Sequence, residues 1–260
     1  MRLRAGVLLL LSAGWLAGQT YQEWLNRGVQ AFKNAQYPEA VAAFQRAADL
    51  DTRNPVARLY LATAYMQQYI PGAENRENRD FVRSAEAEFL RVLDLDPANR
   101  VALSSLASLN LNQKKWDEAG VWYHRALAVD PGNRDAYYSL GFIAWSRWYP
   151  AYLKARAQAG MQQADPGPIP DPAARAVLRA QWWQVLEDGM QDLERALAID
   201  PEYDDAMAYM NLLIRERADL LDTAEEYRRE VAEADRWVNK ALDTKRAKAQ
   251  RKQGMVPPPQ

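Results

Sequence analysis

The amino-acid sequence predicts an all-α protein, a right-handed α-solenoid of antiparallel helix pairs. One observation is that four segments end alike, in a run of small and aliphatic residues closed by Asp51, Asp96, Asp130 or Asp200. The other is that no stretch alternates β-branched with polar residues, so no sheet is expected. Helix pairs that recur along a chain bury their apolar faces on their neighbours, and the product is a solenoid.

The spacing of the four Asp residues gives the length of the repeat. They are separated by 45, 34 and 70 positions, which fits a 34-residue unit with insertions of 11 and 36 residues. Pro follows Asp in three of the four segments, and Thr52 takes its place in the first. Pro lacks the N–H that a helix interior needs but suits a first turn, so Asp-Pro marks a helix boundary. The predicted repeats span about 21–54, 55–99, 100–133 and 134–203, with a degenerate fifth at 204–240.

Small and aromatic residues recur at matching places in these units. The unit 100–133 carries Leu106, Ala107, Trp116, Ala119, Tyr123, Ala126 and Pro131, and the first unit carries Trp24, Gly28, Tyr37, Ala40, Phe44 and Ala47. A 34-residue helix–turn–helix unit of this kind resembles the tetratricopeptide repeat. The resemblance covers about 19–252 and suggests the secreted or periplasmic bacterial type. The third unit departs from the family pattern at Leu103, where Trp is usual, and at Asn110, where Tyr is usual.

The resemblance implies protein binding along a concave groove formed by the first helix of each repeat. Carrying the family's groove positions onto this chain gives Phe32, Leu59, Met66, Leu111, Asn112, Tyr138, Phe142 and Trp145. The basic clamp by which some family members hold a C-terminal carboxylate is matched only at Asn112. We therefore expect the groove to take an apolar anchor from a protein or peptide partner. The alternative is that several of these side chains pack between repeats.

The two insertions are expected to differ. The shorter one, around 67–83, contains Pro71-Gly72 and polar residues, which predicts a turn or loop. The longer one is better explained as two extended helices, about 135–163 and 172–199, around a helix-breaking run at 165–170. Four aromatic residues of this projecting hairpin either hold it together or form an exposed interaction patch: Trp148, Tyr152, Trp182 and Trp183.

A long C-terminal helix is predicted to begin at Thr223. Glu226 completes a capping box with it, and apolar residues then recur at steps of three and four. The helix could cover the exposed edge of the last repeat or form a coiled-coil dimer seam. The many Ala residues in the stripe favour the covering role and a monomer. Residues 253–260, rich in Pro, are expected to form a flexible tail.

The first 18 residues resemble a secretory signal peptide. Arg2 and Arg4 precede an uncharged apolar stretch that closes in small residues. We expect cleavage after Gly18 and a periplasmic or secreted protein, with a retained anchor as the alternative. No later segment is apolar for long enough to cross a bilayer.

The composition of the chain argues against several classes of function. The chain has 33 Lys+Arg, 34 Asp+Glu, one His and no Cys. These counts argue against a nucleic-acid surface, thiolate chemistry and most His-based metal or catalytic sites. We therefore predict no catalytic residues, no metal, no cofactor and no nucleic-acid partner. The expected function is a non-enzymatic protein-interaction module or adaptor of the cell envelope. The alternative is a structural assembly component that self-associates through the C-terminal helix or the aromatic hairpin.

Overall fold

The computed structural model describes residues 20–162 and 165–254, and the predicted signal peptide and residues 255–260 lie outside these ranges. The described residues form ten α-helices and no strand, which confirms the all-α prediction. The helices are α1 (Tyr21–Lys33), α2 (Tyr37–Leu50), α3 (Pro55–Met66), α4 (Arg76–Leu95), α5 (Arg100–Asn112), α6 (Trp116–Val129), α7 (Arg134–Gln158), α8 (Pro172–Ile199), α9 (Asp204–Ala218) and α10 (Ala224–Gly254).

Each helix packs on the next one along the chain, and α7 also contacts α9. Such sequential packing is the architecture of a helical-repeat solenoid, in which each unit touches only its neighbours. None of the helices in the described ranges is both long enough and apolar enough to cross a membrane.

The recurring Asp and Asn residues define the ends of the helices. Asp51, Asp96 and Asp130 directly follow α2, α4 and α6 as their C-caps. Three residues later in each case, an Asn side chain accepts a hydrogen bond from a backbone N–H in the first turn of the next helix, at 3.0 Å for both Asn99 and Asn133. An Asn at this position satisfies a donor that the helix itself leaves free. The repeated sequence motif is therefore a compact stop and start signal.

The interfaces within the early repeats depend on small residues facing single rings. The side chains of Ala40, Phe44, Ala85 and Phe89 are completely buried. Gly28 lies so close to Phe44 that a Cβ there would stand 2.4 Å from the ring. Glycine is therefore required where α1 meets α2, because any side chain would push the helices apart.

The shorter insertion differs in part from the prediction of a loop over 67–83. Only the stretch before Arg76 is a turn, and the remainder lengthens α4. Asn75 caps α4 by accepting from the backbone N–H of Asn78 at 2.7 Å. The buried Asn78 side chain in turn bonds the backbone of Ile70 and Ala73 at 2.7 to 2.9 Å. One side chain thus closes the turn, which leaves the rest of the insertion free to be helical.

The longer insertion forms α7 and α8, but its tip does not project freely. The connecting segment folds back so that Ile169 is fully buried and its N–H donates to the Asp219 carbonyl at 3.0 Å. Arg156 forms a buried ion pair with Asp219, and its guanidinium also donates to the carbonyls of Gln162 and Asp165. The tip of the hairpin is therefore fixed to the corner between α9 and α10.

The sequence left open whether four aromatic residues hold this hairpin together or form an exposed patch, and two of the four are buried. Trp148 is 0% exposed and Tyr152 is 8% exposed, because both lie in the core between α7, α8 and α9. Trp182 is half-buried with its ring centroid 5.9 Å from that of Trp148. Trp183 is half-buried on the next position of α8. Three of the four rings thus hold the hairpin together.

The C-terminal helix begins where the capping box predicts. The Thr223 hydroxyl accepts from the Glu226 N–H at 3.2 Å and donates to its carboxylate at 2.7 Å. The apolar stripe packs on α9 and buries Ala234 and Ala241. Basic residues near the end of α10 pair with acids at the start of α9, Lys248 with Asp204 and Arg251 with Glu202. The helix covers the last repeat, and its stripe is occupied by α9 within the same chain.

Candidate functional site

The clearest candidate site is a group of aromatic rings on two first helices, α7 and α9. Residues at steps of four and three lie on one face of a helix, and α7 has aromatic side chains at four such positions. Tyr209 of α9 meets three of them, with ring centroids 5.8, 5.3 and 5.4 Å away. We call this set the aromatic cluster; its members are Tyr138, Phe142, Trp145, Tyr149 and Tyr209.

The rings of the aromatic cluster form an unbroken network of edge and stacked contacts. Trp145 stacks on Tyr149 at 4.7 Å, and Phe142 meets Trp116 of α6 edge-on at 6.1 Å. At the other end, Tyr138 packs against Tyr203 at 5.0 Å. Aromatic pairs in these geometries hold one another rigidly as well as burying area. The cluster therefore presents a pre-organised surface.

All five rings of the cluster are half-buried: four pack against the core, and Phe142 packs on the rings of Trp116, Trp145 and Tyr209. Burial raises the pKa of the Tyr138 and Tyr209 hydroxyls, and neighbouring Asp205 adds to the effect. Both hydroxyls therefore stay protonated and able to donate at neutral pH. An aromatic surface with a few hydrogen-bonding groups is typical of the anchor region of a protein interface.

Trp145 is held in place from beneath by a buried acid. Its indole N–H donates to Glu216 of α9 at 3.1 Å, and the Glu216 side chain is almost completely buried. Burial raises the pKa of Glu216 to about 7, against the opposing effect of the Trp145 hydrogen bond. Asp219, one turn further along α9, also has a raised pKa because it is buried, although Tyr152 and Arg156 lower it in part. The aromatic cluster thus lies over a charged interior.

The other predicted groove residues lie on α1, α3 and α5 and are separate from the aromatic cluster. Phe32 is half-buried and meets Tyr37 edge-on at 5.5 Å. Leu59, Met66 and Leu111 are half-buried against the cores of their own repeats. Asn112 is exposed, and its backbone carbonyl accepts from the Tyr69 hydroxyl at 3.3 Å. These residues supply a flatter surface with single apolar side chains.

A shallow depression of about 340 Å³ lies in the α1, α3 and α5 part of this face. It lies between α3 and α5, and its walls include Met66, Val101 and three serines, Ser104, Ser105 and Ser108. Small hydroxyl side chains leave room for a partner backbone and can bond to it. We call the whole surface, from Phe32 to the aromatic cluster, the first-helix face. It changes from polar and shallow on α5 to aromatic on α7 and α9.

Two members of the aromatic cluster were absent from the sequence prediction. Tyr149 follows Trp145 by four positions, so the helical period alone could have added it. Tyr209 and the supporting Glu216 belong to the degenerate fifth unit, where the repeat pattern is too weak to assign register. Their approach to α7 depends on how α9 packs, which no local pattern reveals.

No three His, Asp or Glu side chains within residues 20–162 and 165–254 are grouped so that they could hold a metal ion. His124, the one histidine, is exposed on α6. Fold and site together define the class of architecture: a helical-repeat solenoid with an aromatic first-helix face.

Comparison with solved structures places this fold beside MamA. A crystal structure of MamA aligns with a TM-score of 0.60 at 18% sequence identity, over 91% of this chain and 98% of that one. MamA from residue 41 to its end, from Desulfovibrio magneticus RS-1, gives a TM-score of 0.58 at 16% identity, over 88% and 97% of the two chains. The first TPR domain of Spaghetti, bound to an HSP90 peptide, covers 49% of this chain with a TM-score of 0.43. No family model and no curated protein matches the sequence. At these identities the likeness to MamA shows the fold.

Proposed function

We propose that the protein is a non-enzymatic interaction module that binds a protein or peptide partner on its first-helix face. The observation that carries the proposal is the aromatic cluster, five rings that pack on one another and remain open to solvent. A surface that served only to hold repeats together would bury its rings, as Trp148 and Phe89 are buried. Rigid, half-exposed rings lose little entropy when a partner covers them, which favours binding.

The partner we propose presents an apolar anchor to the aromatic cluster and an extended or helical backbone to the serine-lined depression. Phe142 lies at the centre of the cluster, between Trp116, Trp145 and Tyr209. Central, well-packed aromatic residues carry most of the binding free energy in protein interfaces. Phe142 is therefore the residue on which binding should depend most.

The experiment is affinity capture from an envelope extract with immobilised wild-type protein, followed by mass spectrometry. The Phe142→Ala variant should lose the proteins that the wild type retains, because its anchor site is removed. Trp145 is unsuitable for this test, since its removal would leave the Glu216 carboxyl without a donor.

The matched control is Phe81→Ala. Phe81 is also half-buried, but it lies on α4, a second helix, away from the first-helix face. The Phe81→Ala variant should retain the captured proteins. Equal capture by wild type and Phe142→Ala would show that the aromatic cluster is not the binding site.

A location in the cell envelope forms the second part of the proposal. It is supported by the basic start and short apolar run of residues 1–18. Expression of the full chain in a bacterium, followed by fractionation and N-terminal sequencing, tests it. We expect periplasmic protein that begins at Gln19. Protein that keeps Met1 and stays in the cytosol would contradict this part and leave the binding proposal standing.

Self-association through the C-terminal helix is not favoured, because α9 occupies the apolar stripe that a dimer would need. The expected state is a monomer. Sedimentation at micromolar concentration tests this directly, and a dimer that is lost when residues 223–260 are removed would contradict it.

A further inference from the structure

A second surface lies on the other side of the solenoid, in a groove between α8, α9 and α10. The groove has a volume of about 590 Å³. Trp183 of α8 and Trp237 of α10 contribute half-buried indoles to its walls, and Met190, Met210 and Ile214 form its base. We call it the outer groove. Its volume falls within the range of pockets that hold ligands or partner side chains.

Trp183 of α8 packs against the core cluster and also lines the outer groove. Adjacent residues on a helix point about 100° apart. Trp182 therefore packs towards Trp148, while Trp183 turns towards α9 and α10. The part of the Trp183 indole that the core leaves uncovered faces the outer groove.

The charges around the outer groove are mainly negative. Glu187, Asp188, Glu194 and Glu233 contribute carboxylates, and Arg217 contributes the one cation among the lining residues. Arg217 is already held by Glu187 and by Glu230, the latter at 2.5 Å. Glu194 is exposed, and the ion pair of Glu233 with Arg236 lies at the surface, where such pairs contribute little. With Glu230 counted among the acids, and Arg236 and Lys240 among the cations, five acids face three cations around the groove, so its net charge is negative.

The two indoles attract cations, as the chain's own side chains show. Arg217 lies over the ring of Trp183, 5.5 Å from its centroid, and Lys240 lies over Trp237 at 5.0 Å. An aromatic face draws a cation through its quadrupole. Long basic side chains can also lay their methylene stems on apolar surface while the charged end stays near water.

From these contacts we propose that the outer groove binds a basic segment of a partner protein. Lys or Arg stems of that segment lie beside Arg217 and Lys240 on the parts of Trp183 and Trp237 that line the groove, and their charged ends reach Glu194 and Glu233. This surface is distinct from the first-helix face, so the protein can hold two partners, or two parts of one partner, at once.

The test uses two synthetic amphipathic helices as probes, one of Lys and Leu and the other with Glu in place of Lys. Titration calorimetry should show binding of the Lys helix and no binding of the Glu helix. The double variant Glu194→Gln with Glu233→Gln should weaken binding of the Lys helix about tenfold, the effect of two partly screened charge pairs. Binding should also weaken as salt rises.

The control removes the same charge elsewhere. Glu39 and Glu77 are exposed in the first turns of α2 and α4, and the double variant Glu39→Gln with Glu77→Gln should bind the Lys helix as the wild type does. Equal weakening in both double variants would mean that only net charge matters and would overturn the proposal. Binding of the Glu helix would overturn it too.

The Phe142→Ala variant distinguishes binding in the outer groove from binding on the first-helix face. The variant should bind the Lys helix unchanged. If Phe142→Ala abolishes binding while Trp237→Ala does not, the Lys helix occupies the aromatic cluster and the outer groove assignment is wrong. Far-ultraviolet circular dichroism of each variant establishes that the fold is intact.

Discussion

Between α1 and α6 the buried interfaces consist mainly of alanine, leucine and single rings, whereas those of α7 to α10 add tryptophan and a larger number of buried charged side chains. In the first part, the buried ion pair of Arg58 with Glu88 joins the two helices of one repeat. In the second, Arg156 of α7 pairs with Asp219, 63 residues away, at the end of α9. Both parts use contacts between neighbouring repeats, and the second part adds substantial packing of α7 on α9. The aromatic cluster and the two indoles of the outer groove all lie in the second part.

The largest effect should come from removing the charge that joins these repeats. Asp219→Ala leaves the Arg156 guanidinium buried without its partner and removes the acceptor of the Tyr152 hydroxyl. Breaking a buried pair in this way costs about 3–5 kcal/mol. Chemical denaturation should show that loss in the free energy of unfolding. Asp243→Ala, at an exposed acid of α10, should change it by less than about 0.5 kcal/mol. A loss below about 1 kcal/mol for Asp219→Ala would show that the hairpin tip does not need this pair.

The second prediction concerns pH and the acid beneath the aromatic cluster. Burial raises the pKa of Glu216 from 4.5 to about 7 in the folded protein, so the folded state binds a proton that the unfolded state releases over this interval. The stability that this proton provides is present below about pH 4.5 and is lost as pH rises to about 7. Glu216→Gln keeps an acceptor for Trp145 and cannot ionise. At pH 8 it should be more stable than the wild type by about 3 kcal/mol, and at pH 4 nearly equal to it.

Unfolding by denaturant across pH 4 to 8 measures this difference. Asp192, whose pKa burial raises to about 6, contributes in the same direction in both proteins and cancels from the comparison. A wild type and a Glu216→Gln variant with parallel pH profiles would mean that the carboxyl is solvated in the folded state.

Two glycine substitutions should have the smallest effects on the free energy of unfolding, and the two effects should have opposite signs. A Cβ on Gly141 of α7 would stand 2.5 Å from the Leu193 side chain of α8, whereas a Cβ on Gly120 of α6 would meet nothing within 4 Å. Gly141→Ala should lower the free energy of unfolding by about 1–3 kcal/mol through overpacking. Gly120→Ala should raise it by up to about 1 kcal/mol, because alanine favours the helix. If both substitutions raise the free energy of unfolding, α7 and α8 pack less tightly than the distance between Gly141 and Leu193 indicates.

The features that the sequence predicted best depend on residues close together in the chain. The helix ends at Asp51, Asp96 and Asp130 and the capping box at Thr223 depend on residues three or four positions apart, and each is where the pattern indicates. The all-α class follows from the same short-range signals. The division of α7 and α8 around several closely spaced prolines was also readable, since repeated prolines break a helix, although the single Pro150 lies inside α7.

Contacts between distant residues could not be predicted. Trp145 and Trp148 are three positions apart on α7, yet one faces solvent in the aromatic cluster and the other is fully buried. The difference arises because Trp182 contacts Trp148 and Glu216 contacts Trp145 from other helices. These partners are far away in the sequence, and no local pattern indicates which residues they contact. For the same reason the hairpin was expected to project, although Arg156 and Ile169 fix its tip to Asp219.

The affinity of a captured partner for three proteins tests the role of the first-helix face most directly. Titration calorimetry should compare the wild type, Phe142→Ala and Phe81→Ala with one purified partner. We predict that Phe142→Ala binds at least about tenfold more weakly, as expected for a central aromatic anchor, while Phe81→Ala binds as the wild type does. Equal affinities for all three proteins would contradict the assignment of the aromatic cluster as the binding site.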